Sequence, residues 1–305
     1  EPSLVRAPYP KSDEMMRMMG NAGKRLAEIG ACEGAAGNIS VCFTWQENLI
    51  TRFPLSCEIE LPQAVPELAG ATFIVSGSGR RLGEIIEEPT ANLACLVVNA
   101  DGRTAIMHTG AECGFTRVTS EFNSHLAVHY DQMVASGSNF HAVIHAQPVH
   151  LTYLSHIERY QDEQYLSTHL LRWQPETIIN LPEGIGVIPF CIPGSAALSE
   201  ANVARLRKQR MTVWARHGMM VRSEKSLAYA VDLIEYAETA ARYEYLNLTL
   251  GEASEGLRAE EIRAMCKAVG IRQDVYYNQP IPKSLPCREG ILISLRGGEE
   301  KKYQG

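Results

Sequence analysis

One stretch constrains the fold more than any other: Ala94-Cys95-Leu96-Val97-Val98 and Thr104-Ala105-Ile106-Met107, separated by a turn that contains Asn99-Ala100-Asp101-Gly102. Both runs have strand length and apolar character, and the Asp-Gly pair favours a tight reversal, so a β-hairpin and antiparallel pairing are expected. Further strand-like runs cover residues 38–44, 72–75, 142–144, 184–189 and 211–215, and a loop-rich segment with Pro54, Pro62 and Pro66 separates the first two. Between them lie helical patterns. Met15, Met16, Met19, Ala22, Leu26 and Ile29 recur at helical spacing between a capping Ser12 and Gly30. Phe122, Leu126, His129, Tyr130 and Met133 mark a helix behind Ser120, and Pro148 suits the first turn of the next. Helices over 199–210, about 226–248 and about 259–269 follow. Short strands interleaved with helices, without internal repeat or low-complexity linker, point to one α/β sandwich over residues 1–278, with 279–305 as an extra tail of unassigned role.

The apolar share of 45% over 305 residues is ample for a closed core. The 29 basic and 35 acidic residues form no long run of either sign, which argues against nucleic acid and against a polybasic membrane patch. No window approaches the roughly 18 apolar residues of a spanning helix. Cys32, Cys42, Cys57, Cys95, Cys113, Cys191, Cys266 and Cys287 are scattered without a CxxC pair, as expected for reduced thiols in a cytoplasm.

Three positions carry the chemistry. His145 leaves a strand next to a turn, where a rigid element can hold an imidazole at a fixed angle to a metal. His217 precedes Gly218, which lets the backbone turn away from a crowded site. Glu121 stands just behind Thr119-Ser120 as the expected first helical residue; the helix dipole alone would also explain an acid there. His125, His129, His150, His156 and His169 read mostly as core or surface polar residues. Ser76-Gly77-Ser78-Gly79, ending a strand with Arg80 and Arg81 behind it, can offer amides, hydroxyls and a cation to a phosphate. GxGxxG, GxxxxGK[ST] and GxSxG are all absent.

Gly37-Asn38-Ile39-Ser40, residues 72–79, Val118-Thr119-Ser120-Glu121, Val143-Ile144-His145, residues 182–189 and His217-Gly218 together resemble the class II aldolase/adducin family in order and spacing, over about residues 15–275. The resemblance implies a three-layer α/β/α sandwich around a mainly antiparallel sheet, assembled as a homotetramer with sites at subunit boundaries. It implies a Zn²⁺ site with His145 and His217 as ligands, and Glu121 as catalytic acid/base. Glu176 matches a second proton-handling glutamate that reaches an adjacent subunit's site. Asn38, Ser76, Gly77, Ser78 and Gly79 match the substrate and phosphate pocket. The implied activity is cleavage of a ketose 1-phosphate, L-rhamnulose 1-phosphate first, to dihydroxyacetone phosphate and L-lactaldehyde, with a metal stabilising the enediolate as a Lewis acid.

Two positions depart from the family pattern. Gln147 stands where the second histidine of an HxH pair is expected, and a carboxamide is a weaker zinc donor than imidazole, so Glu121 in the coordination shell or an oxygen-tolerant Mn²⁺ or Co²⁺ is an alternative. Ala35 and Ala36 replace an asparagine and a glycine of the family's Asn-Gly-Gly-Asn, which leaves a different phosphorylated sugar or an unphosphorylated substrate open. Rival readings are a pentulose-phosphate 4-epimerase or other family enzyme, and a non-catalytic adducin-like assembly module. Gln147 favours the module; retention of Glu121, His145 and His217 favours an enzyme.

Overall fold

The computed structural model describes residues 4–276; the expected tail over 279–305 lies outside them. The elements run in the order α1 (Ser12–Glu28), β1 (Asn38–Phe43), β2 (Leu55–Glu60), β3 (Thr72–Ser76), α2 (Pro89–Asn92), β4 (Leu93–Val98), β5 (Thr104–Thr109), α3 (Phe122–Ser136) and β6 (Phe140–Ala146). Then come α4 (Val149–Leu154), α5 (Glu163–Leu170), α6 (Pro175–Asn180), β7 (Gly186–Ile188), α7 (Ala196–Leu206), β8 (Met211–Trp214), β9 (Gly218–Ser223), α8 (Leu227–Thr249) and α9 (Ala259–Ala268). The strands form one sheet in the order β2-β5-β4-β3-β1-β6-β9-β8-β7. Every pairing is antiparallel except β7 with β8.

Side-chain alternation along the central strands builds two cores. On β1, Ile39, Val41 and Phe43 join Ala142, Ile144 and Ala146 of β6 under α1, α4 and α8. The other face of the sheet packs Phe73 and Val75 against Phe122, Leu126 and Met133 of α3, and Val143 and Trp214 against Val128 of α3 and Leu198 and Leu206 of α7. Each such fully buried aliphatic or aromatic side chain contributes about 1.5–3 kcal/mol. The result is the α/β/α sandwich.

Helix starts differ from expectation at α1, α3 and α7, the last beginning at Ala196 behind a capping Ser195 rather than at 199. Ser12 is already helical, its amide donates to Glu47 Oε1 at 2.9 Å, and the side chain at the cap position, Lys11, makes no capping bond. Glu121 is the capping residue of α3, one position before the helix, and its carbonyl accepts from the amides of Ser124 and His125. Two strands go beyond the sequence reading. β2 is an edge strand between prolines with exposed Leu55 and Glu58, so it lacks the apolar signature of a core strand. β9 follows β8 after only residues 215–217, too closely for a separate run to stand out. No described helix is long and apolar enough to cross a membrane.

The antiparallel registers bring the end of β3, the start of β1, the end of β6 and the β8–β9 turn to one end of the sheet. Asn38 pairs with His145, and the Ile39 amide donates to Ser76 Oγ at 3.1 Å.

Candidate metal centre

Three short chain segments converge at that end. β6 projects His141, Val143 and His145 toward α3, because residues of a strand alternate between faces. The β8–β9 hairpin supplies His217 from a three-residue loop in which Arg216, not a glycine, takes the left-handed conformation with φ 65°. Ser155 Oγ accepts from the Arg216 amide at 2.8 Å, and the Trp214 carbonyl accepts from the His217 amide at 3.0 Å. Gly218 serves a different purpose from the turn expected of it. A Cβ there would lie 2.6 Å from the Ala146 carbonyl oxygen and 3.0 Å from both His145 Cε1 and Gln147 Cγ. Glu121 is set by Thr119, whose Oγ1 accepts from the Glu121 amide and whose own amide donates to the Ser76 carbonyl.

The Glu121 carboxylate stands between two imidazoles, Oε2 at 3.6 Å from His145 Nε2 and Oε1 at 3.6 Å from His217 Nε2. Donor atoms of all three lie within 4.8 Å of one another. Glu121 and His145 are 5% and 1% exposed, so only His217 opens toward solvent. His145 Nδ1–H donates to the Met219 carbonyl at 2.8 Å, which leaves Nε2 facing Glu121. Its ring stacks on Trp214 at 4.4 Å between centroids, and Trp214 Nε1 donates to Asn202 Oδ1 at 2.7 Å. Burial, then the neighbouring His145, lowers the pKa of His217, while Glu121 opposes the shift.

The donor set fits a divalent cation. Metal-binding imidazoles use one nitrogen for the ion and anchor the other on a carbonyl or carboxylate, as His145 does through Met219. With Glu121 counted among the ligands, the two 3.6 Å separations are close to the roughly 3.3 Å between ligand atoms on a shared tetrahedral zinc. His217 Nδ1 is buried without a partner among the described residues. Gln147, just past β6, is half-buried, and its backbone N–H donates to the Ala31 carbonyl at 2.7 Å.

Of the other sequence-derived positions, Asn38 meets the site directly: its Nδ2 donates to Glu121 Oε2 at 2.8 Å. Ser76, Gly77, Ser78 and Gly79 begin beside it. The amides of Gly77 and Ser78 are already bonded to the carbonyls of Asn92 and Arg117, and Phe115 packs where a Gly77 side chain would be. Glu176 is not brought to the cluster. It is exposed in the first turn of α6, in the helical layer on the opposite face of the sheet from α3. Sequence reasoning left out His141 and gave no site role to His125 and His129, although all three are fully buried and joined to Asn38. For His125 and His129 the signal was the spacing Glu121, His125, His129, four residues apart on one helix face, and for His141 the strand period of two that puts it on the face of His145.

Residues 17–245 match the class II aldolase and adducin N-terminal domain, more than half of the chain. The chain belongs to the class II aldolase and adducin family. A rhamnulose-1-phosphate aldolase of Yersinia pestis (strain Pestoides F) is 30% identical over 210 residues, 68% of this chain and 75% of that protein. A sugar-phosphate aldolase from Thermotoga maritima is similar in structure, with a TM-score of 0.67 and 26% identity over 80% of this chain and 99% of that one. An L-fuculose 1-phosphate aldolase from Glaciozyma antarctica shares the fold at a TM-score of 0.55 and 12% identity, over 90% of each chain. Within this family the protein is an enzyme, a lyase of the aldolase type.

Proposed function

We propose that the protein is a metal-dependent aldolase that cleaves a ketose 1-phosphate, L-rhamnulose 1-phosphate first, into dihydroxyacetone phosphate and L-lactaldehyde. The observation that carries this reading is the buried Glu121 carboxylate placed between the Nε2 atoms of His145 and His217. The 30% identical relative named for rhamnulose 1-phosphate supports the choice of substrate.

His145 and His217 would hold the cation, with Gln147 as a neutral third donor. Zn²⁺ is the proposed ion, with Mn²⁺ or Co²⁺ as alternatives because an amide oxygen suits harder metals. When bound, the ion supplies positive charge that favours negative charge developing on the substrate's carbonyl and hydroxyl oxygens. Glu121 moves the proton: breaking the C3–C4 bond requires removal of the C4 hydroxyl proton, and C3 of the ketone fragment must regain one. Burial excludes competing water from that carboxylate. Ser76, Gly77, Ser78 and Gly79, with Gly79 in the left-handed conformation at the turn, form the proposed phosphate end of the pocket, and Asn38 lies between it and the metal ligands. Glu176, exposed away from the cluster of its own chain, is proposed to serve the site of a neighbouring copy in a homotetramer. A cytoplasmic setting is proposed on the seven described cysteines, all unpaired.

The test offers L-rhamnulose 1-phosphate, L-fuculose 1-phosphate and L-ribulose 5-phosphate to the purified zinc-loaded protein and measures dihydroxyacetone phosphate release and pentulose epimerisation. Fastest release from L-rhamnulose 1-phosphate is expected. Epimerisation without release from either hexulose would replace the aldolase reading with the epimerase one.

A further inference from the structure

Behind Glu121 runs a buried line of polar side chains that metal binding does not use. Asn38 and Ser40 of β1, His125 and His129 of α3 and His141 of β6 are all at most 7% exposed. The period of four on the helix meets the period of two on the strands, so each helical histidine falls opposite a strand polar group. Asn38 directs Nδ2 to Glu121 Oε2 at 2.8 Å and Oδ1 to His125 Nε2. Ser40 Oγ lies 2.6 Å from His125 Nδ1 and 2.7 Å from His129 Nε2, and His129 Nδ1 lies 2.8 Å from His141 Nδ1.

One polarity satisfies every pair along this line. The Asn38 carbonyl oxygen only accepts, so His125 Nε2 carries the proton and Nδ1 the lone pair. Ser40 therefore donates its hydroxyl to His125 Nδ1 and accepts from His129 Nε2–H. His129 Nδ1 is then a lone pair, and His141 Nδ1–H donates to it. Every donor points toward Glu121. The line ends at His141 Nε2, a buried nitrogen without a partner among the described residues, which in this polarity is an acceptor. The opposite polarity would turn the Asn38 oxygen against the Glu121 oxygen and leave a His141 N–H unpaired in the core. A buried orphan donor is the rarer of the two defects.

We infer that His125 is a positioning residue for Glu121: its Nε2–H fixes the Asn38 amide so that Nδ2 holds the carboxylate, and Ser40, His129 and His141 fix the His125 tautomer in turn. The imidazoles serve this role uncharged. Burial lowers the pKa values of His125 and His129 well below the usual histidine range and that of His141 to about 3.

The kinetic arm of the test rests on the aldolase reading. His125→Gln keeps an amide N–H near the place of Nε2, whereas His125→Asn reaches only the Nδ1 position and leaves Asn38 without its donor. His125→Asn is expected to lower kcat by about 10- to 100-fold, the effect of a misplaced reacting group, with KM changed little, and His125→Gln to recover most of the loss. Equal losses in the two variants, or a loss confined to stability with kcat intact, would overturn the assignment.

The second arm needs no substrate. Nitrogen-15 spectra of the histidine rings in the full wild-type chain are expected to show protonated Nε2 in His125 and His129, protonated Nδ1 in His141, and three neutral rings. A proton on His125 Nδ1 or a charged ring in the line sinks the inference. If the wild-type protein cleaves no ketose phosphate, the aldolase reading fails and the ring spectra still decide the polarity.

Discussion

Glu121 faces two imidazoles and an amide donor from a nearly dry position, and its two proposed duties can be separated by one atom. Glu121→Gln preserves shape, and a cap or helix-start role would change stability by only about 0.3–1 kcal/mol. As the proton-moving group, its loss is expected to cut turnover by about 10²- to 10⁴-fold at saturating metal with folding retained. Near-normal turnover in the variant would reduce Glu121 to a structural acid. At this scale the sequence was informative for His145 and His217, since each stands at the junction of a strand and a turn. The reason Gly218 is needed was not legible there: the close approach of the Ala146 carbonyl belongs to a strand register that only tertiary structure fixes. Asn38 illustrates the same limit, because family likeness marks it as a pocket residue while the fold adds Glu121 and His125 as its partners.

At the scale of elements, the contact of α3 with β1 and β6 is a polar seam within an apolar core. Its histidines are held neutral by burial, with folded pKa values below the unfolded value of about 6.5. As pH falls below about 6, the unfolded chain takes up protons that the folded chain refuses, so stability drops. Each such group costs about 1.4 kcal/mol per pH unit, and His141 contributes down to about pH 3. Three together lose roughly 4 kcal/mol per unit, a large part of a typical stability of about 5–15 kcal/mol. The urea midpoint of chelator-treated protein is therefore expected to fall steeply between about pH 6 and 5; an unchanged midpoint would show that these rings are not buried neutral. The seam was hard to foresee because a polar residue on a strand or helix is ordinarily assigned to the solvent face. The hairpin of β4 and β5 and the long α8 were legible because turn chemistry and a sustained helical period are local signals, whereas β2 and β9 depend on partners.

At the scale of the molecule, the antiparallel sheet gathers its strand ends so that residues more than a hundred positions apart meet at one point, and the family match over residues 17–245 spans all of them. Glu176 lies on the far helical layer, which ties its proposed part in catalysis to assembly with further copies. The central claim is that one ion held by His145 and His217, with Glu121 beside it, enables carbon–carbon cleavage. Turnover of L-rhamnulose 1-phosphate, followed as zinc is returned to chelator-treated protein, tests it most directly. Activity is expected to rise from near zero in proportion to bound metal and to level off at about one ion per chain, the stoichiometry of a single enclosed catalytic site, with His217→Ala both binding less and staying inactive. Full turnover without metal, or a titration that His217→Ala leaves unchanged, would contradict the account.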